Sequence, residues 1–230
     1  VKCCVETDFI DSSCLLPHGF PTTAQFTKSA QQLGINNDTI VVIYDNQGVY
    51  SSPRAWWIFT AMGHKQVYIL DGGLPQWLEN NLPTAAKYND VLVKGNIKAQ
   101  LQPTALVTSA DVIEAIDRQD SNIVDARSNE RFIGVAQEPR AGVRRGHIPS
   151  SKNMPFTELF LGHVYKSDSE LAQVFASHHI DLSKRLIFTC GSGITACIVI
   201  VAAMLAGAKQ LSLYDGSWSE WGSNSRLPIE

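Results

Sequence analysis

The residues with the most chemistry in this chain lie in Leu186–Gly207, LIFTCGSGITACIVIVAAMLAG. A short β-rich run, Leu186 to Thr189, ends in Cys190. A loop with two glycines follows, then an apolar, alanine-rich run that reads as a buried helix. Cys190 therefore falls where a strand gives way to a helix. Amides of Gly191 to Ala196 are placed to curl around its sulfur, and the helix N-terminus adds positive potential; both favour the nucleophilic thiolate. Gly191 and Gly193 are expected to supply positive φ and close backbone approach. The plain alternative is a small buried hydrophobe at a strand end, the usual fate of a free cysteine. Cys197, on the first turns of the helix, reads as packing.

Spacing excludes one cysteine chemistry. A cysteine-loop phosphatase needs an arginine six positions after its nucleophile, and Ala196 stands there. No lysine or arginine occurs between Cys190 and Gly207. Such a cradle stabilises one small anion through amides and hydroxyls but lacks the charge a phosphoryl dianion wants. A cysteine persulfide fits it better. Ser192 is placed to set its hydroxyl beside the sulfur, Thr195 to hydrogen-bond a sulfur anion, and Ile194 to pack.

The elements that must position these residues occur twice. Ile40–Pro83 and Leu186–Pro228 align with an offset of 144: Gly63 falls on Gly207, Asp71 on Asp215, Gly72 on Gly216 and Trp77 on Trp221. Each copy reads strand, loop, helix, strand and aromatic turn, so each predicts a parallel sheet covered by helices. Two copies at so long a period mean duplicated domains. Asp45, one residue off that offset because its loop is longer, takes the place of Cys190 in the first copy, so that copy cannot carry a persulfide; it is expected to bond its own loop or cap the next helix. The second copy begins earlier, with a helix starting at Ser109, a buried strand ending in Asp125–Ala126–Arg127, and the turn GHIPSSKNMPF leading to a short strand. No counterpart of about 104–150 precedes the first copy, which implies a truncated first domain, or a fragment or splice form, with an unpaired sheet edge. The expected division is 1–84 non-catalytic domain, 85–103 linker and 104–230 catalytic domain.

Arg131 and Arg140, nine residues apart in RFIGVAQEPR, are guanidinium candidates for a carboxylate. Arg127 is expected in a structural ion pair with Glu130 or another acid; Arg144 and Arg145 are expected to be solvated. His147 should bond backbone, and His178–His179 read as a solvated connection. Trp218 and Trp221 read as core. His18, in LLPHGFP, is a candidate proton relay, against the alternative of a surface loop histidine.

Composition sets bounds. The 230 residues are 44% hydrophobic and 18% charged, ordinary for an α/β protein, and the net charge of −3 argues for neither nucleic acid nor a membrane surface. The five cysteines have no paired spacing, which favours a reducing compartment, and no His/Cys/Asp cluster has metal-ligand spacing. The longest apolar run is too short to span a bilayer.

CGSGITAC, the D-A-R and G-H-I-P series and YDGSWSEW together resemble the rhodanese-type sulfurtransferases. Gly191 and Ser192 stand where thiosulfate-using members carry basic residues, so the likeness is to the branch that takes sulfur from 3-mercaptopyruvate. The resemblance implies two rhodanese-like α/β domains and a Cys190 persulfide. It implies substrate contacts from Arg131, Arg140, Gly191, Gly193, Ile194 and Thr195, and proton relay through Ser192, His18 and an acid. That acid would fall near Glu6–Asp8, where VKCCVETDF departs from the family pattern. Sulfur would pass to cyanide, a thiol or thioredoxin, with pyruvate released and no cofactor, in the cytoplasm or mitochondrion. The alternatives are a thiosulfate:cyanide sulfurtransferase, or an inactive persulfide-binding or protein-interaction module.

Overall fold

The structure is a computed structural model and describes residues 1–230. The chain divides into two compact units, Val1–Pro103 with Gly162–Val164, and Thr104–Leu161 with Tyr165–Glu230.

The first unit contains α1 (Val5–Asp8), α2 (Thr23–Gln32), β1 (Val41–Ile43), α3 (Ser52–Ala61), β2 (Val67–Ile69) and α4 (Gly73–Glu79). A capping box, Thr22 with Gln25, starts α2, and Pro53 occupies the first turn of α3. β1 and β2 form a two-stranded parallel sheet, with Val41 opposite Val67 and Ile43 opposite Ile69. The core is aromatic: Phe9, Phe26 and Phe59 pack with ring centroids 4.9–5.6 Å apart, and α3 is buried almost throughout. Residues 85–103 carry no regular element and are tied to this unit through the backbone. Gly95 N donates to Gln31 O, Ile97 N to Ile35 O, and Gln100 N to Met62 O. Gly95 is required there, since a Cβ would stand 2.0 Å from Ile35 O.

The second unit contains β3 (Leu106–Val107), α5 (Ser109–Arg118), β4 (Ser121–Asp125), α6 (Asn129–Phe132), β5 (Lys152–Asn153), a 3-10 turn (Phe156–Leu159) and β6 (Phe160–Leu161). It continues through β7 (Val164–Tyr165), of which Val164 falls in the first unit, α7 (Asp168–Ser177), β8 (Arg185–Thr189), α8 (Thr195–Leu205), β9 (Leu211–Tyr214) and α9 (Ser217–Trp221). Ser109 is the first residue of α5, as expected, but the cap is Thr108 in a capping box with Asp111.

Five strands form a parallel sheet in the order β3-β9-β8-β4-β5. Parallel strands need both faces covered, and the near-continuous apolar character of β4 and β8 meets that need. Trp218, Trp221, Val112 and Ile148 cover Ile123 and Ile187 on one face. α8 also packs against β8; it is apolar all round, and Ala196 to Ala203 are buried. The chain leaves β4 toward β5 on one side and β8 toward β9 on the other. The carboxyl ends of β4 and β8 thus flank a topological switch point, where open parallel sheets form their crevice. Asp125 lies opposite Thr189 in register, so the segments after each strand emerge together.

Candidate active site

Cys190 is the first residue after β8, and only 1% of it is exposed. Its backbone is held on both sides. Cys190 N donates to Ser217 Oγ at 3.2 Å, and Trp218 N donates to Cys190 O at 2.9 Å. Ser217 Oγ–H in turn donates to Tyr214 O at 2.9 Å, and Ser219 N donates to Gly191 O at 3.0 Å. The start of α9 therefore clamps the base of the cysteine loop. Gly193 N donates to Cys190 Sγ at 3.1 Å, and α8 begins two residues later with its positive end toward the loop. Cys197 is buried in α8, and its thiol donates to Gly193 O at 3.3 Å, so it braces the loop while packing.

The two loop glycines serve different ends. Gly193 has φ 80°, as expected. Gly191 does not have positive φ, contrary to expectation. It leaves room for a side chain: a Cβ there would lie 3.1 Å from Nη2 of Arg131 and 3.6 Å from Nη1, so the guanidinium would have to shift by a few tenths of an ångström. The Arg131 guanidinium thus lies against the residue next to Cys190. Ser192 and Thr195 are half-buried, and Ile194 is buried at the N-cap of α8.

Arg131 belongs to α6 and donates from Nε and Nη2 to Glu138, at 3.2 and 2.5 Å. Glu138 also accepts from Arg127 Nη1 at 2.9 Å. Arg127 is fully buried: it chelates Asp125, donates to Gly146 O and stacks over the Trp218 ring at 4.3 Å. Its partners are therefore Asp125 and Glu138 rather than Glu130, because the guanidinium turns inward under α9. Arg140 is half-buried and makes no ion pair within the chain, which leaves its charge available to an anion.

Arg144 is not solvated: it donates to the carbonyls of Trp221, Gly222, Asn224 and Leu227, filling acceptors left at the end of α9. Arg145 is exposed, and His147 Nδ1 lies 3.0 Å from Phe132 O, a backbone bond as expected. His178 is not merely solvated, since Nε2 lies 2.9 Å from Glu158 Oε2. Trp218 and Trp221 are core. His18 belongs to the first unit, at φ 60°. Its carbonyl accepts from Arg54, and its Nδ1 lies 3.7 Å from Glu6 Oε1. Glu138 is the residue the sequence left without a role, and the E-P-R spacing before Arg140 was its only signal; Glu6 lies in the stretch where the resemblance placed the relay's acid.

A buried cysteine at the carboxyl edge of a parallel sheet, with an amide on its sulfur and a guanidinium beside it, defines a cysteine-nucleophile α/β site for anionic substrates. The rhodanese-like domain family matches residues 10–80 and 108–224, and the chain belongs to that family. Mouse 3-mercaptopyruvate sulfurtransferase is 44% identical over 207 residues, 89% of this chain and 69% of that protein. Chicken thiosulfate sulfurtransferase is 40% identical over 211 residues, 89% of this chain and 72% of that protein. The crystal structure of SseA from Escherichia coli, described as a 3-mercaptopyruvate sulfotransferase with the rhodanese fold, superposes with TM-score 0.82 at 35% identity. It covers 94% of this chain and 80% of that one. Sulfur transfer between a small-molecule donor and an acceptor is the activity of the chain.

Proposed function

We propose that the donor is 3-mercaptopyruvate and that Cys190 carries the sulfur as a persulfide. The observation that carries this reading is the Arg131 guanidinium against Gly191, beside a sulfur that holds one amide hydrogen bond. Arg131, held by Glu138, and the unpaired Arg140 supply cations for a carboxylate and a ketone, whereas the loop itself supplies no cation for an inorganic dianion.

In the first half-reaction the Cys190 thiolate attacks the donor's thiol sulfur. The donor's C–S bond breaks, its electron pair becomes the pyruvate enolate, and the sulfur keeps its proton as Cys–S–SH. Ser192 is assigned delivery of a proton to the enolate carbon, giving pyruvate. Gly191, Gly193, Ile194 and Thr195 shape the pocket for the outer sulfur. In the second half-reaction an acceptor thiolate or cyanide takes that sulfur and restores the Cys190 thiolate, so kinetics are ping-pong. A thiol acceptor becomes a persulfide, and a second thiol then releases hydrogen sulfide and leaves a disulfide. Thioredoxin is proposed among these acceptors. All five cysteines are free, which suits the cytoplasm or mitochondrion, and no helix is long and apolar enough to cross a membrane.

His18 is assigned proton supply on the family resemblance; within its own unit Glu6 is the acid near its ring. H18N should lower pyruvate release without changing persulfide transfer to cyanide.

The test is pyruvate release from 3-mercaptopyruvate with a thiol acceptor, beside thiosulfate and cyanide. Strong release with weak thiosulfate turnover supports the reading, and C190S should abolish it. A preference for thiosulfate would favour the second reading, which the chicken relative keeps in view.

A further inference from the structure

Arg131 has an unusual mounting for a residue that must meet a substrate. It sits on α6, a single turn of four residues, and its side chain is 26% exposed. Every hydrogen bond that fixes its guanidinium goes to one carboxylate, Glu138. That carboxylate is only 5% exposed and is itself anchored by Arg127, which is wholly buried on Asp125, Gly146 O and the Trp218 ring.

We propose that Glu138 is a positioning residue for the reaction: it holds Arg131 so that one edge of its guanidinium faces the donor at Cys190. This rests on the sulfur-donor site proposed above. The stereochemistry is specific. Glu138 Oε1 takes Nε and Oε2 takes Nη2, so the Nε/Nη2 edge is filled. The Nη1 hydrogens and the second Nη2 hydrogen remain, forming the fork's other edge. The same two nitrogens lie nearest the missing side chain of Gly191. The edge left open is therefore the one available for bidentate binding of a carboxylate. An arginine has four rotatable bonds, and untethered on one helical turn it would lose this orientation. Arg140 has no such tether and supplies charge without fixed orientation.

The experiment is a double-mutant cycle on kcat/KM for 3-mercaptopyruvate with E138Q, R131M and E138Q/R131M. Transfer of sulfur from preloaded Cys190 persulfide to cyanide is measured in parallel. E138Q should lower kcat/KM about tenfold, chiefly through KM, and leave persulfide transfer unchanged. In the R131M background E138Q should have no further effect, because its target is gone. E138D should recover part of the loss.

A generally weakened fold would instead make the two substitutions additive and slow both half-reactions. Additivity, or wild-type kinetics in E138Q, overturns the proposal. The Arg131 Nε–H resonance, assigned by its absence in R131M, gives a second readout that needs no turnover. It should be protected from exchange in the wild type and exposed in E138Q. If the wild type turns over thiosulfate only, the donor reading fails, and the cycle run on thiosulfate with this resonance still decides the tether. Equal protection of the resonance in both proteins would sink it.

Discussion

Ser217 has φ 50°, a left-handed conformation costly for a residue with a Cβ. The first unit places Gly73 at the equivalent position with φ 54°, and Leu74 N donates to Asp45 O at 2.9 Å just as Trp218 N donates to Cys190 O. One clamp thus occurs twice, and only the copy with the cysteine uses serine. The serine hydroxyl takes up Cys190 N–H, which would otherwise be a buried donor without a partner. Two substitutions separate strain from bonding. S217A keeps the strain and loses the bond, whereas S217G loses both, so S217G should unfold at higher denaturant and be about 1 kcal/mol more stable than S217A. Both should show the same reduced rate of donor turnover. Unequal turnover would show that the backbone conformation, not the hydroxyl, sets the cysteine.

The loops after β1 and β8 show how one element accommodates a carboxylate in one unit and a sulfur in the other. In the first unit the Asp45 carboxylate accepts from Gln47 N, Tyr50 N, Ser51 N and Ser52 N, all at 2.9–3.0 Å. An internal carboxylate satisfies the donors that open the loop and α3. In the second unit the shorter loop turns one amide, Gly193 N, onto sulfur. D45A should therefore destabilise the first unit by about 2 kcal/mol, read as a lower urea midpoint, because four amides lose a charged acceptor. Acid should act on the helix starts. Thr108 N–H and hydroxyl bonds hold the Asp111 carboxyl below its ordinary 3.8, and Ser167 does the same for Glu170 from 4.5. Both folded values are depressed, so their stabilisation is present above the ordinary values and is lost as pH falls through the folded ones. D111N should flatten the acid limb of a stability–pH curve below about pH 4 relative to the wild type. An unchanged limb would assign the acid sensitivity elsewhere.

At the scale of the whole molecule the two units differ in how their strands are covered. Val42 and Tyr44 in and after β1 are 58% and 49% exposed, while Ile187 and Thr189, their counterparts at β8, are 0% and 1%. β1 pairs only with β2, whereas β8 lies between β4 and β9. Backbone amides of β4 and β8 should accordingly exchange hydrogen slowest in the chain, and those of β1 and β2 orders of magnitude faster. Exchange at one common rate would mean that the units open as one.

Local signals carried the skeleton of the protein. The strand–loop–helix around Cys190, the duplicated strand, helix and aromatic turn, the core tryptophans and the start of α5 are written in short-range periodicity, glycines and caps, which act through neighbours in the chain. The ties of residues at long sequence separation were decided by the tertiary structure. Register between β4 and β8 brings Arg131 to Gly191, sixty positions away, and so turns a glycine expected to supply a torsion into one that supplies space. The inward turn of Arg127 beneath Trp218 selects Asp125 and Glu138 as its partners and, through Glu138, sets Arg131. Arg144 is drawn to open carbonyls at the end of α9, and Glu6 is brought near His18. A charged side chain reaches for whichever donor or acceptor the folded chain presents, and spacing along a sequence does not encode that choice.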